Sequence, residues 1–130
     1  MHKLVCKEAA YPSSPDYTKE LKTVYDQYIN FTNNINTLKR WENREDFTVV
    51  VQPMFEEFKL PYLPDGQPDL SFFAPDCFHL SSKGHAECAV GLWNNMLEKV
   101  GQKAKAWTPG AKIICPTKEN PYLFTDKNSN

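Results

Sequence analysis

The chain has 130 residues, 41% hydrophobic and 24% charged, and its 15 basic and 16 acidic side chains give a formal net charge of −1. These figures describe one folded globular domain and exclude disordered and collagen-like chains. The balanced charge lacks the basic excess that nucleic acid demands, and no run approaches the roughly 18 apolar residues of a membrane span.

Met1–Glu8 has no long apolar stretch after its basic residue, so no signal peptide is visible. A helix is predicted over about 15–40, with Ser14 as cap, Pro15 at the first helical position and Asp16 at the positive end of the dipole. Tyr17, Leu21, Val24, Tyr28, Ile35 and Leu38 recur at spacings that predict one buried stripe, while Asn33, Asn34 and Asn36 weaken its middle. Asn30-Phe31-Thr32 is a glycosylation sequon, meaningful only in a secreted chain.

Phe47-Thr48-Val49-Val50-Val51 reads as a strand, apolar at nearly every position like a central parallel strand covered on both faces, and it ends at Gln52-Pro53. Residues 54–81 form a long loop stiffened by Pro61, Pro64, Pro68 and Pro75, and long loops in compact domains are usually functional. A second helix is predicted over about 82–100. Ser81 or Ser82 caps it, Gly101 lies past its end, and Ala86, Ala89, Val90, Trp93, Met96, Leu97 and Val100 form its apolar face. Residues 101–130 read as a polar tail with a short strand at 112–115. One parallel strand cannot make a sheet, so this inventory predicts a piece of a larger α/β domain.

The loop ends in Pro75-Asp76-Cys77-Phe78-His79, a DxxH between a turn and a helix start. A carboxylate three residues before a histidine can accept from the imidazole Nδ1–H, which fixes the tautomer and leaves Nε2 as a general base. Asp76 and His79 are therefore the candidate catalytic residues, against the simpler reading of a capped loop with a surface histidine. A metal reading would add His85 and Cys77 or Cys88, whose spacings match no common zinc pattern, and no cofactor motif is present. Cys6, Cys77, Cys88 and Cys115 contain no CxxC; they allow two disulfides in three connectivities.

The DxxH segment resembles a conserved block of the GDSL, or SGNH, esterase and lipase superfamily. Asp46 through Pro53 and Pro68 through His79 are similar to the animal membrane-associated phospholipase B family, and the likeness continues through Leu92–Glu98 to Cys115-Pro116 and Asn120-Pro121. It covers about residues 40–130, with Lys99 standing where the family usually carries proline. The resemblance implies the C-terminal part of a three-layer α/β/α, flavodoxin-like domain, incomplete in this chain. It also implies a serine ester hydrolase acting on phospholipid or lysophospholipid at a membrane surface, with Asp76 orienting His79 and His79 serving as base. The location it implies is the secretory pathway and the outer face of the apical or plasma membrane.

The family's serine sits in a GDSL-like motif and its oxyanion hole uses a glycine and the asparagine of GxND. Neither Gly-Asp-Ser nor Gly-x-Asn-Asp occurs among these 130 residues. Ser81 and Ser82 read as helix caps rather than nucleophiles. The expectation is a chain that supplies the Asp–His pair, lacks the N-terminal part of the same domain, and is inactive alone. The competing expectation is a truncated, non-catalytic remnant acting through protein–protein association. Phe72, Phe73 and Phe78 either line an acyl site or pack against the sheet.

Overall fold

In the computed structural model the described residues are 15–35 and 37–129, the side chains of Pro15 and Tyr17 excepted. They fall into two compact units, Met1–Leu38 and Lys39–Asn130. Ser14 and Cys6 lie outside the described residues.

The first unit contains helix α1, Pro15–Ile35. Proline suits the first helical position because its missing N–H has no partner there. The helix stops short of the predicted residue 40, at its asparagine-rich end. There Thr37 and Leu38 turn back by donating to the carbonyls of Asn34 and Ile35, at 3.0 and 3.3 Å. The Lys22–Asp26 ion pair lies one turn apart on its surface at 2.5 Å. The expected buried stripe is not buried: Leu21, Val24, Tyr28 and Leu38 are all exposed. The described part of this unit is a helix and one turn, and a single helix has no second apolar surface against which to bury a stripe.

The second unit is built around helix α2, Ser82–Met96. Ser81 caps it as expected, its Oγ accepting from the Gly84 N–H at 3.2 Å. The helix ends four residues before the predicted Val100. Lys103, only 9% exposed, donates its ammonium to the Asn95 and Glu98 carbonyls at 2.6 and 2.7 Å. A cation at a helix C-terminus satisfies orphan carbonyls and opposes the dipole. Burial pushes the Lys103 pKa down, with Glu98 opposing that shift. Gly101 does take the left-handed conformation, φ +86°, but in the turn beyond this lysine cap.

The face of α2 that packs inward is only in part the one its apolar residues predict, since Leu97 at its C-cap is buried. Gly84, Cys88, Gly91 and Asn95, spaced four, three and four apart, face the core of Met54, Phe72 and Trp107. A Cβ on Gly91 would lie 3.1 Å from Met54 Cε and 3.5 Å from Trp107 Cβ, so the missing side chain admits both. Phe72 meets Trp107 edge-on at 5.7 Å, and Phe58 stacks on the same indole at 5.8 Å. Ala86, Ala89 and Trp93, on the opposite face, remain exposed. Bulk, not hydrophobicity, selects the inner face, because small residues let large aromatics approach the helix axis.

No strand forms over 47–51. Among the described residues the only β pairings are two isolated bridges, Tyr62 with Pro68 and Phe73 with Leu80. A β-branched run becomes a strand only when a neighbouring run completes its ladder, and no described segment pairs with 47–51. The predicted strand at 112–115 is replaced by a side-chain contact. Asn94 donates through Nδ2 to the Lys112 carbonyl at 2.9 Å and accepts through Oδ1 from the Ile114 N–H at 2.8 Å. The segment read as a tail also folds back on this unit. Phe124 N–H donates to the Met96 carbonyl at 3.1 Å, and Lys127 reaches the Arg44 carbonyl and the Glu45 carboxylate at 2.7 and 2.6 Å.

Candidate active site

The long loop is ordered from its base upward. Asp69 caps a short 3-10 helix, Leu70–Phe72, accepting from the Ser71 N–H at 3.0 Å. The chain leaves this helix, turns, and returns to the start of α2. Its neck is closed by the Ser81 N–H on the Phe72 carbonyl at 3.0 Å and the Ala74 N–H on the His79 carbonyl at 2.8 Å. Gly84 sits against the Phe72 carbonyl so closely that a Cβ there would overlap the oxygen. Phe72 is a core residue, 5% exposed, whereas Phe78 is exposed.

At the tip, Cys77 takes the left-handed conformation, φ +57°, which a non-glycine residue adopts at a cost. That bend puts Asp76 beneath the two residues that follow. One carboxylate oxygen, Oδ1, accepts from the Phe78 and His79 N–H groups at 3.0 Å each, and Oδ2 lies 2.6 Å from His79 Nδ1. The two residues singled out by spacing are therefore in contact. Phe78 stands edge-on to the imidazole, centroids 5.0 Å apart at 85°. The Asp76 side chain is 28% exposed and that of His79 73%.

The bond to His79, then those from the two backbone N–H groups, lower the Asp76 pKa from 3.8 to about 2. A carboxyl whose folded value is depressed adds stability above its unfolded value, and that stability is lost as pH falls through the folded value. We expect the Asp76 carboxyl carbon to titrate near pH 2 by NMR, and its share of stability to disappear between 3.8 and about 2. A midpoint at the ordinary 3.8 would show that the Asp76 contacts do not persist in solution.

With the proton on Nδ1 facing Asp76, the lone pair lies on Nε2, and the pair has the form of an acid–base unit. Ser81 is engaged elsewhere, donating to the Ser71 carbonyl at 2.6 Å while it caps α2. Cys77, Cys88 and Cys115 are free thiols, and among the described residues no group of three or more His, Cys, Asp or Glu side chains gathers to hold a metal. No described helix is long and apolar enough to cross a membrane. Sequence reading missed the cluster of Asp69, Ser71 and Lys83 at the loop base; the only signal was Asp69 two residues before Ser71, an Asx-type cap spacing.

In sequence the chain is phospholipase B-like, which relates it to a family of hydrolases. It is 45% identical over 120 residues to the membrane-associated phospholipase B1 of Mus musculus and 48% identical over 119 residues to that of Homo sapiens. Against the Rattus norvegicus protein the identity is 49% over 106 residues. These matches take in 80–88% of this chain but only 7–8% of the relatives, so the chain spans less than a tenth of their length. No family profile matches the chain, and no solved structure matches it.

Proposed function

We propose that this chain supplies the Asp–His pair of a serine ester hydrolase acting on phospholipid acyl esters. The observation that carries the reading is the 2.6 Å contact of His79 Nδ1 with Asp76 inside a phospholipase B-like sequence. In this reading His79 Nε2 takes the proton of a serine hydroxyl as the serine attacks the ester carbonyl. The imidazolium, stabilised by Asp76, then donates that proton to the departing alcohol. In the second half-reaction Nε2 activates water against the acyl-serine.

The serine and the oxyanion donors come from residues outside these 130, in the remainder of a three-layer α/β/α domain with a flavodoxin-like sheet. Exposed Ala86, Ala89 and Trp93 on α2 support that placement, since a helix on an α/β/α sheet needs an apolar face for the sheet. The same exposed face supports the second reading, a non-catalytic chain that acts by association. The relatives' name supports a membrane-associated setting, and the family resemblance supports the secretory route.

The full-length natural chain should release fatty acid from lysophosphatidylcholine and take a fluorophosphonate label on a serine outside residues 1–130. Residues 1–130 alone should release none and carry no label on Ser81 or Ser82. Undiminished release by a full-length His79→Ala protein would end the catalytic reading and favour the association reading.

A further inference from the structure

We infer that Lys83 is a positioning residue for the Asp76–His79 pair, acting through Asp69 and Ser71 at the base of the loop; this rests on the catalytic reading above. The Lys83 ammonium donates to Ser71 Oγ at 2.6 Å and pairs with Asp69 Oδ2 at 3.2 Å. Ser71 Oγ in turn donates to Asp69 Oδ1 at 2.5 Å, so three side chains close a ring of charge-assisted bonds. The ammonium also lies 4.0 Å from the centroid of the Phe72 ring, a cation–π distance. The Ser71 hydroxyl, more than Lys83, holds the Asp69 carboxyl below its usual range.

The ring joins two pieces of chain that bracket the candidate site. Asp69 and Ser71 belong to the 3-10 helix where the loop departs, and Lys83 to the first turn of α2 where it returns. Between them lie only the neck and the tip that holds His79. The tip's internal bonds fix Asp76 relative to His79, and the neck bonds, from the Ala74 N–H to the His79 carbonyl and from the Ser81 N–H to the Phe72 carbonyl, tie the tip to the rest of the loop. The base adds its ring of side chains to these bonds, and within it Lys83 alone reaches across with a positive charge from α2 to Asp69 and Ser71. The Ser71 hydroxyl is engaged on both sides, donating to Asp69 and accepting from Lys83.

The test compares Lys83→Met, which keeps the length of the stem without the charge, with Lys83→Arg, which keeps charge and cation–π contact. In the full-length natural chain, Lys83→Met should lower kcat for lysophosphatidylcholine about 10- to 100-fold with KM within about twofold, the pattern of misplaced catalytic groups. The downfield His79 Nδ1–H resonance, read by NMR, should broaden or vanish in Lys83→Met, and Lys83→Arg should restore both readouts. Unchanged kcat, or a fallen kcat with the imidazole resonance intact, would overturn the inference. If His79→Gln leaves hydrolysis untouched, the catalytic reading fails, and the resonance alone then decides whether Lys83 holds the pair.

Discussion

Replacing Asp76 by asparagine should lower ester turnover by the full-length natural chain about 10⁴-fold, the loss that a misoriented or wrong-tautomer histidine causes in a Ser–His–Asp triad. The geometry makes this substitution unusually specific. Asp76 uses its two oxygens for separate tasks: Oδ1 accepts from the Phe78 and His79 N–H groups, and Oδ2 faces His79 Nδ1. Asparagine keeps the first oxygen and puts an NH2 group where the second was. The loop tip retains its backbone bonds, but Nδ1 now meets a donor and must become the acceptor. The imidazole proton moves to Nε2, which can no longer accept from a serine. We therefore expect kcat to fall with KM little changed, and the Phe78 and His79 amide resonances to stay in place. Turnover within about tenfold of the unmodified protein would mean that Asp76 shapes the loop and does not serve the histidine.

The largest expected effect on stability lies at Gly84. Glycine to alanine inside a helix ordinarily stabilises by about 0.5–1 kcal/mol. Here the sign reverses, because the new Cβ would overlap the Phe72 backbone oxygen, and Leu80 Cβ and Cδ2 already stand 3.1 and 3.2 Å from that point. Backbone cannot rotate aside as a side chain can, so α2 must back away from the 3-10 helix. The Ser81 N–H bond to Phe72 and the Phe73–Leu80 bridge would stretch with it. We expect a loss of about 3 kcal/mol, at the upper end for overpacking. Gly91→Ala is the built-in comparison. Its nearest obstacle is Met54 Cε at 3.1 Å, the flexible end of a side chain, so the change should stay within about 1 kcal/mol. Urea unfolding followed by circular dichroism would rank the two; equal midpoints would show that α2 and the 3-10 helix do not pack this closely.

The features legible in the sequence are those decided by a few neighbouring residues. Pro15 starting α1, Ser81 capping α2, and Asp76 reaching a histidine three residues on are local geometry, and local geometry follows from residue type and spacing. What could not be read depends on partners distant in the chain. The Val49–Val51 run has strand chemistry, yet a strand is a property of two segments, and no described segment pairs with it. The inner face of α2 was hidden for a different reason. Periodicity arguments count large apolar side chains, and Gly84, Cys88 and Gly91 register as gaps in such a count. They are nonetheless the groove into which Phe72, Met54 and Trp107 fit. The lysine cap at Lys103 was likewise invisible, since a lysine seven residues past a helix end carries no signature of where its amine will point.

Asn94 binds residues 112–114 much as a neighbouring strand would, with one donor and one acceptor facing a carbonyl and an N–H two residues apart. A rung made by backbone is undone only by moving the backbone. A rung made by an amide side chain is undone by rotation about two single bonds, with α2 and the 112–114 segment both left standing. The extended stretch beside the exposed Ile113 is therefore fastened by a latch and not welded in place. Freeing its ladder edge costs three side-chain hydrogen bonds, two to Asn94 and the one that Trp93 Nε1 donates to the Ile114 carbonyl at 2.7 Å, and no backbone bond of α2.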